Sequence, residues 1–219
     1  MKKFSLAFIF IFSVSHIFFS QVTTIGNQTW TTENLSVTKF RNGDEIPQAH
    51  SKEEMETYSN AKEPAWCFYD FNPKLGKKFG KMYNSYVLSD PRGISPEGWH
   101  IPSIDEFTTL VEILGGQETA RYKLKSKSGW ENNQNGTNSS NFSALPGGHT
   151  GGSKFLNMGY SVFFWSSTPM DSVYMQCLSL GPDTKDYVEI EGETVAIYQW
   201  SLFTGMHLNN YSYIRCIKD

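Results

Sequence analysis

Cysteine and long apolar runs are both scarce in this sequence. Its 219 residues include 3 cysteines, the first of them Cys67, so no cysteine stands directly behind residues 1–20 to carry a lipid anchor. Residues 1–20 hold the one long apolar stretch, which is short for a membrane-spanning helix. We therefore expect a protein with neither a membrane span nor a lipid anchor.

Motifs of common catalytic and metal sites are missing as well. The chain has no H-E-x-x-H, G-x-S-x-G or C-x-x-C motif and no phosphate-binding loop. No metal-ligand spacing links any two of the histidines that follow residue 20, which are His50, His100, His149 and His207. These absences favour a non-catalytic protein without a cofactor.

The chain also lacks an internal boundary and an excess of positive charge. No Pro-rich or Gly/Ser-rich linker and no repeat of fixed period divides residues 21–219, so we expect one domain there. The sequence has 19 Lys and Arg against 22 Asp and Glu, a formal net charge of −3. A chain with this balance is not expected to bind nucleic acid.

The first 20 residues have the pattern of a secretory signal peptide. Lys2 and Lys3 precede an apolar run rich in Phe and Ile, and Ser20 is a small residue at the expected cleavage point before Gln21. The pattern predicts export to the periplasm, the cell surface or the extracellular medium, with residues 21–219 as the mature domain.

The strongest local signal is a helix start near residue 103. Ser103 stands at an N-cap position, and Glu106, three residues later, completes a capping box in which each side chain bonds the backbone N–H of the other residue. Apolar residues then recur at helical spacing as far as Leu114, and Gly115 ends the pattern. The segment therefore predicts a helix with one apolar face.

Weaker patterns complete the predicted secondary structure. They are a hairpin over 22–32 with its turn at 26–27, a capping box at 51–54 opening a helix to about 60, a strand over 65–71, an ambiguous segment over 79–88, a helix over 118–125, and strands over 160–167, 173–180, 194–203 and 211–217. Together they predict a single α+β domain, in which capped helices pack on a twisted antiparallel sheet with long loops.

Several motifs stand in a fixed order along the chain. They are Ile25-Gly26-Asn27-Gln28-Thr29-Trp30 with Glu33-Asn34-Leu35, Gly98-Trp99-His100-Ile101-Pro102, Gly136-Thr137-Asn138-Ser139-Ser140-Asn141-Phe142 with Ala144-Leu145-Pro146-Gly147-Gly148, Phe164-Trp165-Ser166-Ser167-Thr168, and Ile214-Arg215-Cys216-Ile217-Lys218-Asp219. Together they resemble the Fibrobacter succinogenes major paralogous domain. The resemblance implies an exported bacterial domain, often present in many paralogues, whose biochemical function is largely unassigned.

The same resemblance bears on fold more than on activity. The Trp-Ser-Ser-Thr and Arg-Cys segments are also similar to domains related to C-type lectins and formylglycine-generating enzymes, which implies a C-type-lectin-like fold. It implies no activity, because fold does not fix function. Within these motifs we expect structural roles for Trp30, Trp99, His100, Pro102, Ser103, Glu106, Trp165 and Arg215. For His100 we expect a buried imidazole that is hydrogen-bonded to the backbone.

The cysteines depart from the family pattern. Members commonly have a cysteine shortly before the Gly-Trp-His motif, which the resemblance pairs with the closing Arg-Cys. Here Ser95 stands in that place, so we expect Cys216 to be unbridged. Two alternatives stay open for the cysteines. Either one disulfide bridge forms among Cys67, Cys177 and Cys216, or all of them are small buried thiols. The spacing of Cys177 and Cys216 does not match the reactive pair of formylglycine-generating enzymes, so that activity is the weakest alternative.

Aromatic and amide side chains supply the candidate ligand site. Sugar sites pair an exposed ring with amides that bond hydroxyl groups, and Trp130 precedes an Asn-rich loop. The candidate residues are Trp130, Asn132, Asn133, Asn135, Trp200 and His207. The alternative is a solvated loop that one buried tryptophan anchors.

The sequence thus predicts an exported, non-catalytic binding module for cell-surface or environmental glycans or proteins. A structural or adhesion component without a fixed small ligand is the alternative. We expect no cofactor. Lectin-like folds often bind calcium through oxygen ligands, so a structural calcium ion is the alternative.

Overall fold

Capped ends define the helices in the computed structural model, which describes residues 21–182, 185–190, 193–198 and 201–219. The Ser103 hydroxyl accepts a hydrogen bond from the Glu106 N–H at 3.2 Å, and the Glu106 carboxylate accepts from the Ser103 N–H at 2.7 Å. The predicted capping box is therefore confirmed. Within the described residues the α-helices are α1 (Lys52–Ala61), α2 (Pro73–Phe79), α3 (Ile104–Ile113) and α4 (Gln117–Leu124).

Helix α1 confirms the helix predicted from 51 to about 60, with one difference at its cap, whereas α2 was not predicted. Ser51 caps α1 by accepting from the Glu54 N–H, but the Glu54 carboxylate bonds the N–H of His50, so only half of the predicted capping box forms. No pattern predicted α2, because it is short and lysine-rich and has no apolar repeat. Asn72 caps it, and Pro73 opens it with a backbone angle already suited to a helix.

The strands are short and mostly antiparallel. Their bounds are β1 (Val22–Ile25), β2 (Gln28–Thr31), β3 (Trp66–Cys67), β4 (Met82–Asn84), β5 (Trp99–His100), β6 (His149–Gly151), β7 (Lys154–Leu156), β8 (Val162–Pro169), β9 (Tyr174–Leu180), β10 (Lys185–Ile190), β11 (Glu193–Tyr198), β12 (Phe203–His207), β13 (Tyr211–Ser212) and β14 (Ile217–Lys218). They form small sheets in the orders β1-β2-β14-β5, β13-β4-β3, β12-β9-β8, β6-β7 and β10-β11. The α+β class is confirmed, and several small sheets take the place of the single predicted one.

Most strand predictions hold with shifted bounds. The predicted hairpin forms, and Gly26 has the positive φ of +61° that its turn needs. In the predicted strand over 65–71 only β3 is extended, and a 3₁₀ turn follows it. The ambiguous segment over 79–88 contains β4 followed by another 3₁₀ turn. The predicted strand over 194–203 overlaps β11 and the first residue of β12, and the one over 211–217 overlaps β13 and the first residue of β14.

Aromatic residues of the motifs pack into two neighbouring core clusters. Trp30 is fully buried and stacks on Phe107 of α3, with their ring centroids 5.3 Å apart. Trp165 lies in the second cluster and donates its indole N–H to the Tyr83 carbonyl at 2.8 Å. Trp99 is half-buried against that second cluster. Trp30 thus holds α3 in the core, and the fully buried rings of Trp30 and Trp165 are not open to a ligand.

A buried arginine joins distant parts of the chain. Arg215 is only 2% exposed, and its guanidinium donates to Asn34 Oδ1 at 2.6 Å and to the carbonyls of Thr31 and Phe142 at 2.8 and 3.0 Å. Burial lowers the pKa of Arg215 to about 9. Its bonds connect β2, the segment after it and the loop before β6, so Arg215 is a structural residue.

None of the helices among the described residues is both long enough and apolar enough to cross a membrane.

Candidate functional site

A cleft of about 600 Å³ is lined by β6 on one side and by β12 on the other. Its walls are made by His149, Thr150, Gly151, Gly152, Phe163, Tyr174, Thr204, Gly205, Met206, His207, Asn209 and Asn210. No Lys, Arg, Asp or Glu is among these described lining residues. The cleft therefore offers apolar surface and neutral polar groups.

An aromatic pair stands at this cleft. Tyr174 of β9 and His207 of β12 are partners in the antiparallel register, so their side chains lie on the same face of the sheet. Their rings meet edge to face, with centroids 5.5 Å apart, and Tyr174 remains 39% exposed. His207 Nδ1 accepts from the Asn209 N–H at 3.1 Å, so the donor that the neutral ring can offer is Nε2–H.

Two carboxamides in the cleft are held through their oxygen atoms. Asn209 Oδ1 accepts from the Tyr86 hydroxyl at 2.8 Å, and Asn210 Oδ1 accepts from the Gly152 N–H at 2.7 Å. Neither Nδ2 group has a hydrogen-bond partner among the described residues. Both amides are thus fixed in orientation and keep donors for a ligand.

His149 adds a neutral ring to the β6 wall. Its imidazole packs against Phe163 with ring centroids 4.2 Å apart and lies 3.3 Å from the Ser161 hydroxyl. Burial lowers the pKa of His149 to about 4, so the ring is uncharged near neutral pH. This agrees with the uncharged character of the other lining residues.

The residues predicted as ligand contacts are not brought together. His207 lies in the cleft, while Trp130 is only 4% exposed, and its indole N–H donates to Ser126 Oγ and to the Ala144 carbonyl at 3.1 and 3.2 Å. A ring buried in this way cannot stack on a sugar, so the structure corrects the Trp130 prediction and favours the anchoring alternative. Trp200 lies outside the described residues.

The Asn-rich loop uses its amides to shape its own backbone. Asn135 Oδ1 accepts from the Trp130 N–H at 3.0 Å, which closes the loop on its anchor. Asn132 and Asn133 are exposed and adopt left-handed backbone conformations with φ of 52° and 58°, which asparagine tolerates better than most residues. None of the three lines the cleft.

Sequence reasoning missed most of the cleft. The sequence analysis did not select Tyr174, Asn209 or Asn210 as ligand contacts, and it found no pattern that assigns a function to His149. The contacts of these residues depend on the register of β9 with β12 and on a hydrogen bond that spans 58 residues, from Gly152 to Asn210. Only the pair Asn209-Asn210, shortly before the predicted strand over 211–217, gives a local hint of a polar loop.

Comparison with known families decides the identity. The model described as the Fibrobacter succinogenes major domain matches residues 23–218. The chain belongs to this family. No curated protein and no solved structure matches the chain.

The motifs of this Fibrobacter succinogenes major domain build its scaffold. The Ser167 N–H donates to the Pro102 carbonyl at 2.8 Å, and the Ile104 N–H donates to Thr168 Oγ1 at 3.0 Å. The Trp-Ser-Ser-Thr and Gly-Trp-His-Ile-Pro motifs therefore lie side by side at the start of α3. None of the residues that line the cleft belongs to the quoted motifs.

His100 of the Gly-Trp-His motif contacts two carboxylates. Its Nδ1 lies 2.6 Å from Asp219 Oδ1, and its Nε2 lies 2.8 Å from Glu106 Oε1. The predicted buried ring bonded to backbone is wrong, because the side chain is 41% exposed and both partners are acidic side chains. Burial alone would lower the pKa of His100, but the bonds to Asp219 and Glu106 outweigh it and raise the pKa above its ordinary value.

This geometry predicts a pH dependence of stability. Since the folded pKa of His100 is raised, the contribution of the charged ring is complete below the unfolded pKa of about 6.5 and is lost as pH rises through the folded pKa. Because the ring is partly exposed, we expect a loss of no more than about 1 kcal/mol. Urea unfolding between pH 5.5 and 9 should show that the stability of the wild type relative to His100→Gln falls as pH rises, because the rise with pH that the neutral His149 contributes is common to both proteins.

The exposed His50 supplies the control for that measurement. His50→Gln should leave the pH profile of the wild type unchanged, since no pair of carboxylates holds that ring among the described residues. A wild-type profile that coincides with that of His100→Gln would contradict the predicted role of the imidazolium.

The cysteines are buried and free of disulfides. Cys67, Cys177 and Cys216 are all unbridged, which confirms the expectation for Cys216. Burial raises the pKa of the Cys177 and Cys216 thiols to about 12, and for Cys216 a hydrogen bond with the Ser95 side chain opposes that rise. Protonated thiols are poor nucleophiles. Among the described residues, no group of three or more His, Cys, Asp or Glu side chains is placed to hold a metal ion.

Proposed function

We propose that this domain is an exported, non-catalytic recognition module that binds a neutral saccharide in the cleft between β6 and β12. One observation carries the proposal: the Tyr174 ring, 39% exposed, lines the same cleft as two fixed amide donors, and the described lining of that cleft has no charged side chain. A pyranose presents an apolar C–H face and a rim of hydroxyl oxygens, which match a ring face and amide donors.

The polar groups of the cleft favour a saccharide over a charged ligand. Asn209 and Asn210 offer Nδ2 donors, and His207 offers Nε2–H when neutral. A phosphate or carboxylate ligand would call for a basic side chain, and a cation would call for acidic ones. The described walls of the cleft contain neither.

Export and lectin-like ancestry belong to the same proposal. Residues 1–20 carry the pattern of a signal peptide, which would bring the domain to the periplasm or the cell surface, where glycans are abundant. We also propose the C-type-lectin-like fold on the strength of the resemblance. Calcium is not needed for binding here, because the cleft has no carboxylate among its described residues, and binding should therefore resist a chelator.

Non-catalytic binding agrees with the chemistry of the site. The imidazole of His149 is neutral and packed against Phe163, and no carboxylate stands near it in the cleft to form a general acid–base pair. The protonated thiols of Cys177 and Cys216 do not support a cysteine-based reaction.

An adhesion component is the second candidate. Large apolar side chains are exposed at Leu156, Met158, Tyr160, Met170 and Val173. Such groups favour contact with another protein over binding of a small ligand.

A glycan array with the purified chain tests the first proposal. We expect capture of neutral glycans, unaffected by a chelator. Tyr174→Ala should weaken binding by roughly 30-fold, the effect of a hot-spot residue, while the melting temperature stays within 2 °C of the wild type, because that ring is already half-exposed.

The matched control is Tyr160→Ala, which removes an equally exposed ring outside the cleft. It should bind like the wild type. If the array shows no glycan, or if the two variants lose binding equally, the cleft is not a saccharide site and the adhesion candidate takes precedence.

A further inference from the structure

The cleft wall formed by β12 is the open edge of a sheet. Among the described residues β12 pairs with β9 alone, and the Leu202 carbonyl and the Leu208 N–H bond to Ser179 and Val173 on the β9 side at 2.8 and 3.0 Å. Backbone groups alternate in direction along a strand, so even-numbered residues of β12 face β9 and odd-numbered ones face away. Gly205, in the middle of β12, therefore directs its N–H and C=O away from the sheet.

Gly205 leaves these groups open. Neither its N–H nor its C=O has a hydrogen-bond partner in the described part of the chain, whereas the next outward carbonyl, that of His207, accepts from the Asn210 N–H at 2.9 Å. A Cβ atom at Gly205 would lie 2.5 Å from Met170 Sδ and 3.6 Å from Tyr174 Cβ. The glycine therefore gives Met170 and Tyr174 room beside an uncovered backbone carbonyl.

The loop after β12 supplies a donor. Asn210 Oδ1 is bound to the Gly152 N–H at the end of the β6 hairpin, which leaves Asn210 Nδ2 as a donor in the same cleft. The cleft thus has a backbone acceptor at Gly205 and an oriented amide donor at Asn210. These two groups suit a ligand that carries a donor and an acceptor on two neighbouring atoms.

We infer that the cleft selects saccharides that carry an acetamido group, an inference that rests on the proposed function and names its ligand class. In a trans secondary amide the N–H and C=O point in opposite directions. The ligand N–H would donate to the Gly205 carbonyl, and the ligand C=O would accept from Asn210 Nδ2. Tyr174 would cover the sugar ring next to them. A hydroxyl at the same position of the sugar offers a single oxygen for both bonds, whereas the acetamido group offers a separate donor and acceptor.

Calorimetry with two matched trisaccharides tests the inference. Chitotriose, used here in its fully N-acetylated form, and cellotriose have the same β-1,4-linked pyranose backbone. They differ in one group on each ring, an acetamido group in chitotriose and a hydroxyl in cellotriose. We expect chitotriose to bind the full chain at least 10-fold more tightly than cellotriose. Equal binding of the two overturns the acetamido inference and leaves the saccharide proposal in place. Binding of neither overturns the inference too, and the glycan array then decides the proposal on its own.

Two further measurements locate the contact. Asn210→Asp keeps the acceptor for Gly152 but removes the Nδ2 donor. It should therefore lower the affinity for chitotriose at least 10-fold and change the affinity for cellotriose less than 3-fold. On titration with chitotriose, the amide nitrogen of Met206 should shift, because it shares a peptide group with the Gly205 carbonyl. An unshifted Met206 signal, or equal losses for both sugars in Asn210→Asp, overturns the assignment.

An extended peptide offers the same secondary amide and is the competing ligand. Neutral acetyl-Gly-Ala-Gly-amide serves as the probe for it. We expect no binding of this peptide at concentrations that saturate chitotriose binding, because it lacks a ring to cover Tyr174. Peptide binding as tight as that of chitotriose would make the edge of β12 a peptide site and overturn the inference.

Discussion

Replacing Arg215 by methionine is expected to lower the free energy of unfolding by about 3–5 kcal/mol. Methionine can fill much of the side-chain volume but donates no hydrogen bond, so Asn34 Oδ1 and the carbonyls of Thr31 and Phe142 each lose a buried donor. Relief from burying a cation, which the lowered pKa of Arg215 reflects, offsets part of this cost. The melting temperature should fall by roughly 10 °C for a chain of this size.

Arg41→Met is the control for this change. Arg41 is exposed, so the same substitution there should change the free energy of unfolding by no more than about 0.5 kcal/mol. Denaturant unfolding of both variants measures the difference. An Arg215→Met protein that melts within 2 °C of the wild type would show that the buried guanidinium does not hold the scaffold together.

Ser95→Cys is expected to stabilise the oxidised protein by about 2–4 kcal/mol. Ser95 and Cys216 are both buried, and the Ser95 side chain is a hydrogen-bond partner of the thiol, so a second sulfur would stand beside the first. The bridge would close a loop of roughly 120 residues, which strongly restricts the unfolded chain. Alkylation and mass spectrometry should find a 95–216 disulfide with Cys67 and Cys177 still free.

Reduction and a matched variant check the origin of the gain. With a reductant present the Ser95→Cys protein should lose its added stability, and Ser95→Ala should never show it. If Ser95→Cys keeps all of its thiols free under oxidising conditions, the two side chains are not in bonding position, and the explanation for the unbridged Cys216 fails.

The parts of the fold that sequence could predict are those fixed by neighbours in the chain. The α3 start was predictable because Ser103 and Glu106 are three residues apart and bond each other's backbone. The first hairpin was predictable because its turn needs a residue such as Gly26 with positive φ. The family motifs, which recur along nearly the whole chain, likewise made the family recognisable from the sequence.

The prediction of the site residues was wrong where burial and contacts between distant parts of the chain determine which side chains are accessible. Trp130 stands next to a polar loop in sequence, but its indole N–H finds its partners, Ser126 and Ala144, in the core. His100 meets Asp219 across 119 residues, a contact that no local pattern contains. Of the predicted ligand residues, His207 lies in the cleft, and sequence gave no sign that the β9–β12 register would set Tyr174 beside it.

The scaffold and the cleft are built from different parts of the sequence. The quoted motifs hold Arg215, Trp30 and Trp165 in the core, while the lining of the cleft comes from strand edges and loops outside those motifs. Loops on a rigid scaffold can change without loss of the core. Changes in the lining of the cleft are therefore expected to leave the core of this domain intact.

A crystal structure of the chain soaked with chitotriose tests the central claim most directly. The account predicts one saccharide ring between β6 and β12, with its face on Tyr174 and its acetamido group between the Gly205 carbonyl and Asn210 Nδ2. A saccharide bound on the Asn-rich loop over Asn132 and Asn133 with the cleft empty, or no bound saccharide at saturating concentration, would contradict it.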